Sequence, residues 1–148
     1  MFRVLTVLLL ISGLAAMSAC VSVKPIYYDD DKAVARSKVV QLHVLYNNDD
    51  FAAIYELLTD RLKHETTKEA FVASLAKLKV DNGRFVESKD VDSQVVPQAS
   101  RREVLLKYSS KYEKSWCDEG FALFVDGKDA VVDLLMINPS AGPAQPKR

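Results

Sequence analysis

The sequence predicts an α+β domain: three N-terminal helices packed on an antiparallel sheet of about four strands. Two observations carry this expectation. Apolar residues recur with a period of about 3.6 before Gly83 and with a period of 2 after it. Further on, Asp126-Gly127-Lys128-Asp129 separates two apolar runs as a hairpin turn does, because Asp-Gly accepts positive φ.

From Ala33 to Tyr46 the apolar residues Ala35, Val39, Leu42 and Tyr46 form a stripe, broadened by Val34, Val40, Val44 and Leu45, as a core-facing helix requires. Asn47-Asn48-Asp49-Asp50 breaks the pattern and offers N-cap residues. Phe51, Ile54, Tyr55 and Leu58 then repeat at helical spacing and predict a short second helix. Thr66 and Glu69 are spaced as a capping box, in which hydroxyl and carboxylate each satisfy an orphan N–H, so a third helix is expected to start there. It carries Phe71, Leu75 and Leu78 on its apolar face and stops at Asp81-Asn82-Gly83.

Past Gly83, the segment Glu103 to Trp116 alternates Val104, Leu106, Tyr108, Tyr112 and Trp116 with Glu103, Lys107, Ser109, Lys111 and Glu113, the pattern of a half-buried strand. Phe85, Val91 and Val95 predict an earlier, more polar edge strand ending near Pro97. Phe121–Val125 and Ala130–Ile137 are expected to pair across the Asp-Gly turn. Pro139, Gly142, Pro143 and Pro146 lead to the expectation of a disordered tail over 139–148. The domain proper is thus placed at 33–138.

The N-terminal residues read as an export signal: Arg3, an apolar run from Val4 to Ile11, then small residues leading to Cys20. The run is shorter than the roughly 20 apolar residues of a bilayer-spanning helix and breaks at Ser12-Gly13. Met17-Ser18-Ala19-Cys20 resembles the lipobox of bacterial lipoproteins, with Met17 where Leu is usual. The resemblance implies cleavage between Ala19 and Cys20, removal of residues 1–19, and diacylglycerol and acyl chains on Cys20. Two or three chains, at about 0.8 kcal/mol per buried methylene, make such an anchor stable. Residues 20–32 would be the lipidated terminus and a spacer, with Asp29-Asp30-Asp31 as a solvated acidic stretch lacking the turn glycine of a calcium loop. Val21 after the cysteine implies outer-membrane sorting, facing the periplasm, in a two-membrane host. A secreted protein without lipid is the alternative.

Composition narrows the chemistry. Twenty basic and twenty acidic side chains give a net charge of +0 with both signs interspersed, which does not supply the basic footprint of nucleic-acid binding. With Cys20 acylated, Cys117 is left without a disulfide partner and reads as a small buried hydrophobe. His43 and His64 lack metal-ligand spacing and read as surface or cap residues. No nucleophile elbow, phosphate-cradling glycine loop or paired-Cys metal motif occurs, so neither catalytic nor metal-binding residues are assigned, and no cofactor beyond the acyl chains is expected.

The order of elements, with Asn48-Asp49-Asp50-Phe51, Leu57-Leu58-Thr59, the Thr66 cap and Gly83, resembles small bacterial lipoproteins with a nuclear transport factor 2-like, cystatin-like fold, over roughly Ala33 to Ile137. That resemblance implies a curved sheet wrapped against the helices around a cone-shaped cavity. Tyr46, Tyr55, Phe71, Tyr108, Tyr112 and Trp116 are its candidate lining. Ala130 departs from the bulky aromatic often found after the turn, which would leave the last strand less filled or open a pocket. Fold alone does not choose a function. A non-enzymatic interaction module, with an envelope protein or a second copy as partner, is the first expectation. A binding domain for a small apolar or peptide ligand is the second, and an isomerase- or dehydratase-type enzyme ranks below both.

Overall fold

The structure is a computed structural model that describes residues 28–98 and 101–142. The expected signal segment with Ala19, the expected lipidation site Cys20, the expected spacer up to residue 27 and the tail from Pro143 lie outside the described residues. Four helices, α1 (Asp29–Asn47), α2 (Phe51–Glu56), α3 (Asp60–Glu65) and α4 (Lys68–Asn82), precede four strands, β1 (Phe85–Pro97), β2 (Arg102–Tyr112), β3 (Trp116–Asp126) and β4 (Asp129–Ser140). The strands form one open antiparallel sheet in the order β1-β2-β3-β4. The class is therefore α+β, with one more helix than the three expected.

The extra helix is α3, a single short element whose N-cap Thr59 accepts from the Leu62 N–H. Its apolar content is too low for periodicity to reveal it. Helix α1 begins at Asp29, four residues before the expected start, so the three aspartates form its first turn rather than a solvated spacer. Negative charge there complements the positive end of the helix dipole. Asp31 is also buried and pairs with Arg102 at the start of β2. The expected capping box is displaced by one residue: Thr67, not Thr66, caps α4 by accepting from the Ala70 N–H at 3.2 Å.

The strand boundaries differ in two places. Strand β2 stops at Tyr112, and Trp116 opens β3 instead of closing β2, because residues 113–115 turn the chain back, with the Tyr112 N–H bonded to the Ser115 carbonyl at 2.8 Å. Pro139, assigned above to the tail, lies in β4 opposite Cys117. Strand β4 is an edge, where a residue without an N–H is tolerated. The Asp-Gly turn is as expected, with Gly127 at φ 61° in the first central position of a two-residue hairpin.

The core lies between the helices and one face of the sheet. Ala35, Val39, Leu42 and Tyr46 of α1, with Phe51 and Ile54 of α2, meet Val104, Leu106, Phe121, Leu123, Val125 and Val132 from the sheet. Ala130 is itself buried in this core and borders an open groove of about 320 Å³ between α1 and the start of β4. Two polar clamps fix the helix layer. The Asn47 side chain closes on the Phe85 backbone, donating to its carbonyl at 3.0 Å and accepting from its N–H at 2.9 Å. Lys79 of α4 donates to the Tyr46 and Asn47 carbonyls and to Asp49, satisfying the end of α1 where helix carbonyls lack partners. The chain between α2 and α3 is zipped to the β4 edge by Thr59 N–H to Val132 carbonyl and Val132 N–H to Leu57 carbonyl.

Gly83, which ends α4, has φ 81° and ψ −161°, a conformation open essentially only to glycine, and a Cβ there would come within 2.8 Å of the Glu113 side chain. Its carbonyl accepts from the buried Tyr46 hydroxyl. Gly83→Ala is expected to lower unfolding free energy by about 1–3 kcal/mol, read as a reduced midpoint in urea. An unchanged midpoint would contradict this geometry.

Candidate functional site

Alternation along β2 and β3 decides which polar groups face the helices. Counting back by twos from the core residues Val125, Leu123 and Phe121 brings Glu119 and Cys117 to the inner face. Strand β2 contributes Tyr108, Ser110 and Tyr112 to the same face. Glu119 is thereby placed in the interior, with its side chain at 0% exposure.

An ionised carboxylate there is costly unless its oxygens are occupied. They are. Tyr112 donates its hydroxyl to Oε1 at 2.6 Å, Ser110 donates to Oε2 at 2.5 Å, and His43 Nε2 lies 3.2 and 3.1 Å from the two oxygens. Burial pushes the Glu119 carboxyl up, but the His43, Ser110 and Tyr112 interactions outweigh it and hold it below the ordinary carboxylate value. Burial, reinforced by the Glu119 charge, raises the Tyr112 hydroxyl far above its usual range. Cys117 is fully buried, and burial raises its thiol.

His43 is a correction to the sequence reading, which placed it on the surface or at a cap. It is 8% exposed, its ring stacks on Phe85 at 3.6 Å between centroids, and Phe121 meets it edge-on at 6.2 Å. His64 is exposed, as expected. Ser110 sits at an inward position of β2 between Tyr108 and Tyr112, where a polar side chain gives no apolar signal, and Glu119 lies upstream of Phe121, where the third strand was expected to start. Extending its inward register by one step of two would have reached the carboxylate.

The space beside this cluster is nearly closed. Its volume is about 10 Å³ and its walls include Tyr46, Tyr112, Leu75 and Ile137. That is about the room of one water molecule. Of the six residues expected to line a cavity, only Tyr46 and Tyr112 do so. Tyr55 instead donates its hydroxyl to the Lys63 and Thr66 carbonyls, joining α2 to the C-terminal end of α3. Phe71 packs beside Tyr55 and borders a surface groove between α4 and β4. Tyr108 faces inward but packs on Phe121, outside this space. Trp116 lies on the opposite face, against Gly142. Two readings therefore lose residues they relied on.

That opposite face has its own pattern. Across the sheet it presents rows Val96–Glu103–Phe124–Val131, Gln94–Leu105–Ala122–Leu134 and Asp92–Lys107–Gly120–Met136. Charges gather on β1 and β2, and apolar side chains on β3 and β4. Val131, Leu134 and Met136 are 40%, 37% and 46% exposed. Beside them, Arg101 stacks on the Phe124 ring at 3.4 Å, and an open groove of about 760 Å³ runs between this face and Arg61 of α3, which is paired with Asp133.

Among the described residues no group of three or more His, Cys, Asp or Glu is placed to hold a metal ion, and no helix is long and apolar enough to cross a membrane. Compared with known proteins, the chain matches no family model, no curated protein and no solved structure.

Glu119→Gln keeps the volume but supplies an amide that cannot accept at both positions, leaving a buried donor unpaired at about 1–3 kcal/mol. The folded carboxyl titrates below its unfolded value of about 4.3, so its stabilisation is complete above that value and is lost as pH falls through the folded one. Urea midpoints should therefore separate wild type from Glu119→Gln at neutral pH and converge as the pH falls below the ordinary carboxylate range. A gap independent of pH would contradict an ionised Glu119.

Proposed function

We propose that this chain is a membrane-tethered lipoprotein of the cell envelope whose domain is a non-enzymatic interaction module, docking through the outer face of β3 and β4. The observation that carries the docking surface is the contiguous exposed apolar strip of Val131, Leu134 and Met136 beside Phe124. Large apolar side chains grouped on one uncovered face mark an association surface more than scattered ones do. Strands of 11 and 12 residues at about 3.3 Å, two abreast at about 4.8 Å, give the β3–β4 face on the order of 400 Å². That is the size of a contiguous patch that marks an association site. The partner is an envelope protein or a second copy; the balanced charge of the chain offers nothing for nucleic acid.

The tether rests on Met17-Ser18-Ala19-Cys20, with cleavage after Ala19 and acyl chains on Cys20 as the only added group. Outer-membrane placement facing the periplasm follows from Val21 if the host has two membranes. The finer fold assignment, nuclear transport factor 2-like or cystatin-like, belongs with this proposal and draws on the helices-then-sheet order.

A ligand held in the helix–sheet cavity is the alternative, and an isomerase- or dehydratase-type enzyme stands below it. Both need room beside Glu119 that a volume of about 10 Å³ does not offer, and Glu119 has its oxygens occupied. A ligand pocket ordinarily has about 300 Å³ or more.

Cys20→Ala should leave unprocessed precursor or release the domain from membranes washed in alkaline carbonate; unchanged retention would sink the tether alone. Met136→Glu, on an exposed position, should shift stability by no more than about 0.5 kcal/mol. In sedimentation velocity it should also dissociate a dimer if the partner is a second copy. A chain that is monomeric with or without the substitution directs the search to an envelope partner.

A further inference from the structure

A second recess lies on the helix side of the sheet edge, away from the outer face. Between α1 and β1, a groove of about 390 Å³ is walled by Val40, Val44, Phe85 and Val86, with His43 at its floor. The three valines are 62%, 54% and 52% exposed. The imidazole is held from three sides, by the Phe85 stack, the Phe121 edge and Glu119. Because an ionised carboxylate only accepts, Nε2 carries its proton toward Glu119. A second-sphere carboxylate fixes ring orientation in this way at many functional imidazoles.

Nδ1 is then the one uncommitted polar atom of the ring. It makes no hydrogen bond to a described residue and is not among the fully buried side-chain atoms left without one, so Nδ1 reaches the surface. His43 meets the surface in this groove. We propose that the α1–β1 groove binds a small apolar molecule bearing a hydroxyl, an aliphatic alcohol or a phenol, whose body covers the valines and whose oxygen meets His43 Nδ1. A hydroxyl fits because it donates to a bare Nδ1 and accepts from a protonated one. A carboxylate would meet the Glu87 charge at the rim. The volume lies within the range of small-molecule sites. Occupancy here is independent of the tether and of docking at the outer face.

The test is a titration of the purified chain, with labelled histidine nitrogens and valine methyls, using p-cresol and then toluene, which has the same body without the hydroxyl. With p-cresol, His43 Nδ1 and the methyls of Val40, Val44 and Val86 should shift and saturate together. Toluene should bind about three- to ten-fold more weakly, the value of one hydrogen bond. Val44→Asp, at an exposed position that leaves the fold intact, should weaken p-cresol by a similar factor. Equal binding of the two compounds would mark a plain apolar surface and overturn the proposal, as would shifts that do not saturate, an unmoved Nδ1, or indifference to Val44→Asp.

Discussion

One buried carboxylate sets the terms for the rest of this domain. Glu119 sits where a hydrophobic residue would ordinarily complete the inner face of β3, and an ion there is tolerated only with its oxygens filled. The donors come from two other elements, His43 on α1 and Ser110 and Tyr112 on β2. Strand register and the rotation of α1 are thus tied to one group: a shift of either strand by one residue would turn Glu119 or its donors to the other face. Removing the charge without replacing its geometry leaves donors stranded, so the cluster acts as a specification of the fold as much as a contribution to its stability.

The same cluster closes the interior. Tyr46 and Tyr112, the two aromatic residues that do line the inner space, have hydroxyls engaged with Gly83 and Glu119, and the room left is about that of a water. The accessible features described above lie outside this space: an apolar strip on the outer sheet face and a groove between α1 and β1 that His43 lines. These surfaces use different faces of the sheet and can be altered separately.

Much of the architecture was legible in the sequence because binary patterning and turn chemistry are local. The change of period at Gly83, the Asp126-Gly127 turn and the stripe through Val39, Leu42 and Tyr46 each act within a few residues. The misses share a cause. Helix α3 has a single large apolar residue, Leu62, and so shows no period, and the Thr66–Thr67 choice turns on a single residue of cap geometry. Strand β3 starts at Trp116 because residues 113–115 turn, a fact that the apolar pattern of Tyr112 and Trp116 conceals. The candidate site was least legible of all. Glu119 and His43 are 76 residues apart, and a charged residue in an alternating pattern reads as solvent-facing until long-range pairing supplies its donors.

The claim that function resides on the outer β3–β4 face is tested most directly by placing a photo-cross-linking side chain at Met136 in cells, with Val80 on α4, also well exposed, as the comparison. Docking through the sheet predicts one discrete covalent product from position 136 and none from position 80. Products from both positions alike, or from position 80 alone, would contradict it.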